Sequence, residues 1–418
     1  MTSVLSQELA ARGFVHQHTA ESLAALVDGS PQTIYHGIDP TADSATVGNM
    51  VIWLLLRHLA QAGHKIIFLV GGGTGMIGDP KPDTERTLQT PEQVAHNVAC
   101  IKAQAQRLVA AGGASGIEFV NNQDWLLQTD LITFLRDIGK HFTVNELIKK
   151  DAIATRLAGE SGLSYTEFAY PLLQAFDYLT LYKKYNCTMQ VGGSDQWGNI
   201  VAGVELVRRK EQVTVHALTT PLIIDKATGK KFGKSEGNAV WLSAEKTTPF
   251  AFYQFWLQVS DEGVIEYLKI FTLLPLSEIV QIEQEWSANP AARYAQKRLA
   301  RSVTEFVHGE ATAAAVENVS SALFEKNTLS QLSDSELLLL QQNAPYFEIM
   351  SGTDMCSLIT AAQLASSKRE ARSFIEAGAV TVQGQKITAA TAEITKVEYG
   401  EYILIKRGKK HVAAIKLL

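Results

Sequence analysis

The sequence predicts an α/β protein: a doubly wound, mostly parallel sheet in the first half, then an α-helical segment, then a small α+β unit. Three observations carry the prediction. Strand-like runs, polar loops and amphipathic helical patterns alternate up to about residue 210; strand signals then fade between 247 and 325; and residues 353–418 return to short helices followed by short strands. Strand, loop, helix, strand at this rhythm is the pattern of parallel sheets with helices on both faces.

Taken in order, TIYHGID (33–39) is β-rich and runs through the polar loop DPTADSATVGN (39–49) into a helical pattern over 47–62, which Gly63 stops. KIIFLV (65–70) is a continuous apolar run, as a strand covered on both faces should be. A glycine-rich loop follows, GGGTGMIGDP (71–80), then a helical stretch near 91–111, the strand IEFVNN (117–122), and helices through 180. TMQVGG (188–193) precedes a helix near 196–209, completing a Rossmann-type first domain over 1–246. In such sheets ligands sit outside the carboxyl ends of the strands, where these polar loops fall. Within 247–330, FAFYQFWLQV and YLKIFTLLPLSEIVQIEQEW repeat apolar residues at helical spacing, so their aromatics read as core packing. Residues 331–352 are poorly patterned and are expected to be a linker. The last domain, 353–418, should fold as a helix (355–363), the turn SSKRE, a helix (369–377), Gly378 and short strands about the turn QGQK (383–386).

Composition narrows the function classes. The longest apolar runs, such as VIWLLL (51–56), end in charge well before the ~18 residues of a membrane span. MTSVLSQELAARGF lacks the basic and apolar regions of a secretory leader, so a cytoplasmic protein without a membrane partner is expected. Cys100, Cys187 and Cys356 show neither metal-ligand spacing nor even pairing, which fits reduced thiols and no protein-held metal. The net charge of −5 conceals an asymmetry: residues 353–418 hold ten Lys/Arg against six Asp/Glu. An acidic body with a basic tail suggests an enzyme carrying an RNA-binding appendage.

Five polar clusters could carry chemistry. The loop 39–49 feeds a helix N-terminus, whose unpaired N–H groups and partial positive charge suit phosphate; an ordinary N-cap in a solvated turn is the alternative. Gly48 would let a flat base or ribose approach the backbone. The glycines of 71–80 permit similar approach, with Asp79 ending the loop. In YPLLQAFDYL (170–179), Tyr170, Gln174 and Asp177 stand at i, i+4 and i+7 and share one helix face, either a polar site or a solvated stripe. QVGGSDQWGN (190–199) combines a strand end, paired glycines, acid and amides. TGKKFGKSEGN (228–238) could be a mobile phosphate loop built on Lys231 and Lys234, or a solvated lysine turn.

In this order and spacing, DPTADSATVGN, GGGTGMIGDP, YPLLQAFDYL, QVGGSDQWGN and KFGKS closely resemble the motifs of bacterial tyrosyl-tRNA synthetases, which are class I enzymes, and the likeness runs over nearly the whole chain. The resemblance implies that L-tyrosine is joined to ATP with release of pyrophosphate, then moved to tRNA(Tyr). It places Tyr35 and Asp177 on the substrate phenol, with Asn122 supporting Asp177. Asp79, Tyr170, Gln174 and Gln190 would orient the amino acid, and Asp39 and Gln196 would touch tyrosine or the adenylate. Gly48, Asn49, Gly193, Asp195, Gln196 and Lys234 would meet ATP. Lys231, Lys234 and Ser235 would form the mobile phosphate loop, with Thr41 and Thr46 as further phosphate contacts. Mg²⁺ would travel with ATP, without a protein cage, and no prosthetic group is implied.

The resemblance also implies a homodimer, with Tyr165 in the stretch matching the dimer interface. ASSKREARSFIEAGAVTVQGQKI looks like a small RNA-binding domain first known from a ribosomal protein. Ser367, Lys368, Arg369, Arg372 and Lys386 would form its basic face, extended by Lys406, Arg407, Lys409 and Lys410, while Arg208 and Arg209 would meet the acceptor stem. One departure matters. The family signature His-x-Gly-His is here Thr46, Val47, Gly48 and Asn49, so both imidazoles are replaced by neutral groups. Thr46 is expected to offer its hydroxyl to phosphate. The alternatives are a catalytically reduced relative that only binds RNA, and the tryptophan-activating enzyme. Tyr35 and Asp177 argue against the latter, since an indole has one donor and no acceptor.

Overall fold

A computed structural model describes residues 4–80, 87–110, 116–159, 162–235, 238–326, 329, 331–408 and 411–418. The side chains of Lys234 and Ser235, and all of Lys409 and Lys410, lie outside the described residues. The chain divides into two compact units, one of residues 1–246 with 259–295 and the other of 247–258 with 296–418.

The first unit is built on a six-stranded sheet. Its strands are β1 (Gln17–His18), β2 (Thr33–Ile38), β3 (Lys65–Val70), β4 (Ile117–Asn121), β5 (Met189–Gly193) and β6 (His216–Thr220), in the order β1-β6-β5-β2-β3-β4. All neighbours are parallel except β1, which pairs antiparallel with β6 at the edge. The chain therefore leaves β2 toward β3 on one side and returns to β5 on the other, making β2/β5 the switch point where a cleft must open. Tyr35 and Gln190 stand directly opposite each other across that pair. Two strands carry weak sequence signals: β1 is only two residues long, and β6 mixes His and Thr into its run.

Helix positions follow the pattern. Val47–Gln61 begins at Thr46 and buries ten of its residues, Trp53 and Leu54 to Leu56 among them, before Gly63 takes a φ of +96°. Its Trp53 ring and the His36 ring both meet Phe68 of β3 edge-on, which fixes the helix on β2 and β3. The 21-residue helix Tyr165–Tyr185 starts at Ser164, whose hydroxyl accepts from the Glu167 N–H. A buried ion pair holds this start, with Arg156 donating 3.1 Å bonds to both Glu167 oxygens and two more to the Gly162 carbonyl.

In the second unit, helices Pro249–Leu257, Tyr294–His308 and Glu310–Ser321 precede a five-stranded sheet. The expected linker 331–352 carries the helix Asp334–Asn343, capped by Ser333 with Glu336, and the strand Tyr346–Ile349. That strand pairs parallel with His411–Leu417. The helix expected at 369–377 begins slightly earlier, at Lys368, because Ser367 accepts from the Glu370 N–H as its N-cap. Gln383 and Gly384 make the turn between Val380–Val382 and Gln385–Lys386, both at positive φ. Among the described residues no helix is long and apolar enough to cross a membrane.

Candidate active site

The cleft at the carboxyl ends of β2 and β5 is a cavity of about 340 Å³. The strand β2 contributes Tyr35 and His36, and Asp39 and Thr41 follow it; the helix start contributes Thr46, Gly48 and Asn49. Tyr170, Gln174 and Asp177 all line it, so the shared face read from their spacing is the one turned to the cavity. Asp79, Gln190, Gly193, Asp195, Gln196 and Lys231 line it as well. Every residue expected at the tyrosine and nucleotide sites, Lys234 and Ser235 apart, is thus brought to one place.

Its floor is a chain of hydrogen bonds. Asp177 is only 3% exposed, and its Oδ2 accepts from Asn122 Nδ2 at 3.0 Å while its Oδ1 accepts from Trp125 Nε1 at 2.8 Å. Asn122 Nδ2 also donates to Thr74 Oγ1 (2.8 Å), Thr74 donates to Asp39 Oδ1 (2.7 Å), and Tyr170 donates to Asp39 Oδ2 (2.8 Å). The network runs beneath the glycine-rich loop, which explains that loop's composition. A Cβ at Gly71 would overlap both the Asp39 carboxylate and the Thr74 hydroxyl, and one at Gly73 would come within 2.9 Å of Leu126. Asn122 was expected to support Asp177. Trp125 and Thr74 were not anticipated, and their only sequence signal is proximity to IEFVNN and to the glycine run.

Burial sets the electrostatics. Desolvation lifts the Asp177 carboxyl to about 7, against the pull of its two side-chain donors. Desolvation first, and the Asp177 charge second, hold the Tyr35 phenol well above its ordinary range. The Tyr35 hydroxyl, Gln174 Oε1 and Gln190 Oε1 are buried without a hydrogen-bond partner. Three orphaned polar atoms around one cavity are costly unless a ligand satisfies them. His36, also unanticipated, is pushed down to about 4 by burial, with Nδ1 on the Val191 carbonyl at 3.2 Å and Nε2 unpartnered.

At one end of the cavity Asp79 accepts from Gln196 Nε2 (2.8 Å) and Asn199 Nδ2 (3.1 Å). Lys150 sits behind them, donating to the Gly198 carbonyl at 2.9 Å and lying 3.4 Å from Asn199 Oδ1; burial pushes it down to about 8, opposed by Asp79. Lys231 reaches Asp195, next to Gln196 in the chain, at 3.7 Å. Its neighbour Phe232 stacks on Tyr267 and Phe271, with ring centroids 4.4 and 5.4 Å apart. Gly233, at a φ of +89°, lies against Val47 and the Gly48 N–H. The basic loop therefore rests on the helix N-terminus. There Thr46 departs from expectation: its hydroxyl donates to Asn49 Oδ1 at 3.0 Å. Among the described residues no group of three or more His, Cys, Asp or Glu could hold a metal ion.

Arg208 and Arg209 are exposed on the last turn of Trp197–Glu211, both paired with Glu205, which they hold at about 2. In the second unit Lys368, Arg369 and Arg372 line one exposed cleft with Asp354 and Thr391, and Lys386 is exposed on its own strand. Lys406 is partly buried, and Arg407 lies over the Phe374 ring at 4.7 Å. Tyr165 is 72% exposed.

Comparison with known proteins agrees with this geometry. Residues 28–325 match the family of class I tRNA synthetases for tryptophan and tyrosine, and residues 336–415 match the C-terminal domain of tyrosine–tRNA ligases. A tyrosine–tRNA ligase of Streptomyces coelicolor is 44% identical over 422 residues, covering 100% of this chain and 99% of that one. One from Streptococcus uberis is 46% identical over 98% of this chain and 99% of its own. Among solved structures, a C-terminally truncated mitochondrial tyrosyl-tRNA synthetase of Aspergillus nidulans matches with a TM-score of 0.70 and 31% identity, over 77% of this chain and 94% of that one. A tryptophanyl-tRNA synthetase of Encephalitozoon cuniculi shares the fold, with a TM-score of 0.55 at 13% identity over 80% of this chain and 91% of that one. Matched along its whole length, the chain belongs to the tyrosine–tRNA ligases of class I.

Proposed function

We propose that this cavity activates L-tyrosine with MgATP and that the chain then passes the tyrosyl group to tRNA(Tyr). The observation that carries the reading is the Asp177 carboxylate, held by two donors deep in the cavity, beside an unpartnered Tyr35 hydroxyl. A substrate phenol donates to the one and accepts from the other. Phenylalanine would leave the Tyr35 hydroxyl unpaired and deny the buried Asp177 carboxylate the phenol donor, and for this enzyme family the resulting discrimination is known to be about 10⁵. Gln174 and Gln190 orient the amino acid, and Asp79, Asp39 and Tyr170 surround its ammonium end.

In the first step an oxygen of the ionised tyrosine carboxylate bonds to the α-phosphorus, and the bond from that phosphorus to the bridging oxygen breaks. Pyrophosphate departs with the electron pair. No proton has to be removed, so the site's task is to align the reactants and stabilise the departing charge. Thr41, Lys231, Lys234 and Ser235 serve the phosphates, Gly193 and Asp195 the ribose, and Mg²⁺ enters as part of the nucleotide. In the second step a terminal ribose hydroxyl of the tRNA attacks the activated carbonyl, the bond from that carbon to the phosphate oxygen breaks, and AMP leaves with the electron pair, its phosphate taking up the hydroxyl proton.

Lys368, Arg369, Arg372 and Lys386 grip tRNA phosphates, with Arg208 and Arg209 at the acceptor end. Catalysis is assigned to 1–246 and RNA binding to 353–418, with the helix and strand of 331–352 built into the C-terminal unit instead of forming a free connection. A homodimer is supported by exposed apolar side chains between Leu127 and Tyr165, including Leu131, Ile132 and Val144, each more than 60% exposed. The protein works in the cytoplasm. Tyrosine-dependent exchange of labelled pyrophosphate into ATP tests the reading. Pure, folded protein that shows none would be an RNA-binding relative without adenylation, the reading favoured by the missing histidines.

A further inference from the structure

The pair Thr46 and Asn49 bonds within itself in a way that decides which of the two can serve a nucleotide. The backbone N–H of Thr46 donates to Asn49 Oδ1 at 2.9 Å, and the Thr46 hydroxyl donates to the same oxygen at 3.0 Å. A backbone N–H is always a donor, so the Asn49 amide has only one acceptable orientation, oxygen toward Thr46. The hydroxyl has a single proton, and it is spent on Asn49. Phosphate oxygens accept and do not donate, so Thr46 has nothing to offer them without breaking this bond.

We infer that Thr46 and Asn49 form one donor unit, in which Asn49 Nδ2 meets the nucleotide and Thr46 is a positioning residue that fixes the amide. Both residues line the cavity at the start of Val47–Gln61. With its oxygen turned back to Thr46, the amide points its two N–H bonds away from the N-cap, and they meet no acceptor among the described residues. The neighbouring geometry keeps the unit in place: Val47 N–H donates to the Val240 carbonyl at 2.9 Å, Thr46 bridges to Trp241, and the Gly233 turn lies on Gly48. The two departures from the family signature are thus one coupled change, and the inference deepens the activation reading on which it rests.

The test is pyrophosphate exchange with Thr46→Val, Thr46→Ser, Asn49→Ala, Asn49→Asp and the double variant Thr46→Val/Asn49→Ala. Tyrosine binding without ATP checks that each variant is folded. Asn49→Asp keeps the acceptor for Thr46 but turns an oxygen toward the nucleotide. Loss of one donor predicts a fall of roughly 10²-fold in kcat/KM for ATP in Asn49→Ala and at least as much in Asn49→Asp, at unchanged tyrosine affinity. Thr46→Val should lose about tenfold and Thr46→Ser should recover most of it, because the serine hydroxyl makes the same bond. The double variant should be no worse than Asn49→Ala, within about twofold, since Thr46 acts only through Asn49. In an active wild type, a double variant that shows the full product of the single losses overturns this inference alone. A wild type without exchange overturns both it and the activation reading.

Discussion

Replacing Trp125 by Phe isolates what the indole N–H does for Asp177. The bond is 2.8 Å long between groups that are 6% and 3% exposed, so its loss is not made good by water. The ring is largely kept, and Asn122 still holds the other carboxylate oxygen at 3.0 Å. A hydrogen bond to a charged group is worth roughly 1.5–3 kcal/mol, and at about 1.4 kcal/mol per tenfold this is ~10- to 100-fold. The energy belongs to the ionised form, so it also appears as a pKa change of about one to two units, upward from about 7. The phenol donates to the carboxylate, so tyrosine affinity should be full above the Asp177 midpoint and decline as pH falls through it. Wild type should lose affinity below about pH 7, and Trp125→Phe should do so at a higher midpoint with a tyrosine KM at neutral pH raised about tenfold or more. The ligand-free stability has the opposite dependence. The folded state keeps the proton longer than the unfolded chain, so stability falls as pH rises from about 4 toward about 7, and Asp177→Asn should flatten that slope. Exchange kinetics from pH 6 to 9 with tyrosine and ATP varied separately measure all of this. A Trp125→Phe enzyme whose ATP and tyrosine KM rise together, or whose midpoint stays put, would refute the argument.

Two further perturbations address other parts of the molecule. Gly71→Ala pushes a methyl into the Asp39 carboxylate and the Thr74 hydroxyl; overpacking at such a site costs ~1–3 kcal/mol, so thermal melting should drop and exchange should weaken chiefly through KM for tyrosine. An unchanged melting temperature with full activity would show that the floor network yields easily. Arg369→Gln with Arg372→Gln should leave exchange untouched while weakening tRNA charging at low tRNA, and should reduce the salt slope of tRNA binding by about two. Unaltered charging and salt slope would remove that cleft from the RNA surface.

The legibility of the site differed from residue to residue for one reason, the distance along the chain over which each interaction reaches. Tyr170, Gln174 and Asp177 could be grouped because successive helix turns relate them, and their shared face does line the cavity. The glycines of 71–80 could be read as close approach, although what they approach, Asp39, Thr74 and Asn121, was not visible. Trp125 looked like any aromatic near a strand end, because its partner lies 52 residues away; Tyr170 and Asp39 are 131 apart. His36 sits in a strand read only for its apolar neighbours. The helix in 331–352 had a legible signal in Ser333 and Glu336, a capping pair three residues apart, which the poor periodicity of the stretch concealed.

Local periodicity, turn residues and motif order, all contained in the sequence, determined the sheet-and-helix alternation, the kinship and many of the polar residues around the cavity, though not His36 or Thr74. Only the tertiary structure decided how those residues spend their hydrogen bonds: both oxygens of Asp177 occupied, the Thr46 proton given to Asn49, the Tyr35 hydroxyl left waiting. The reason is physical. A side chain's place on an element is set by neighbours a few residues away, whereas its donors and acceptors are claimed by whatever segment folding carries to within about three ångströms.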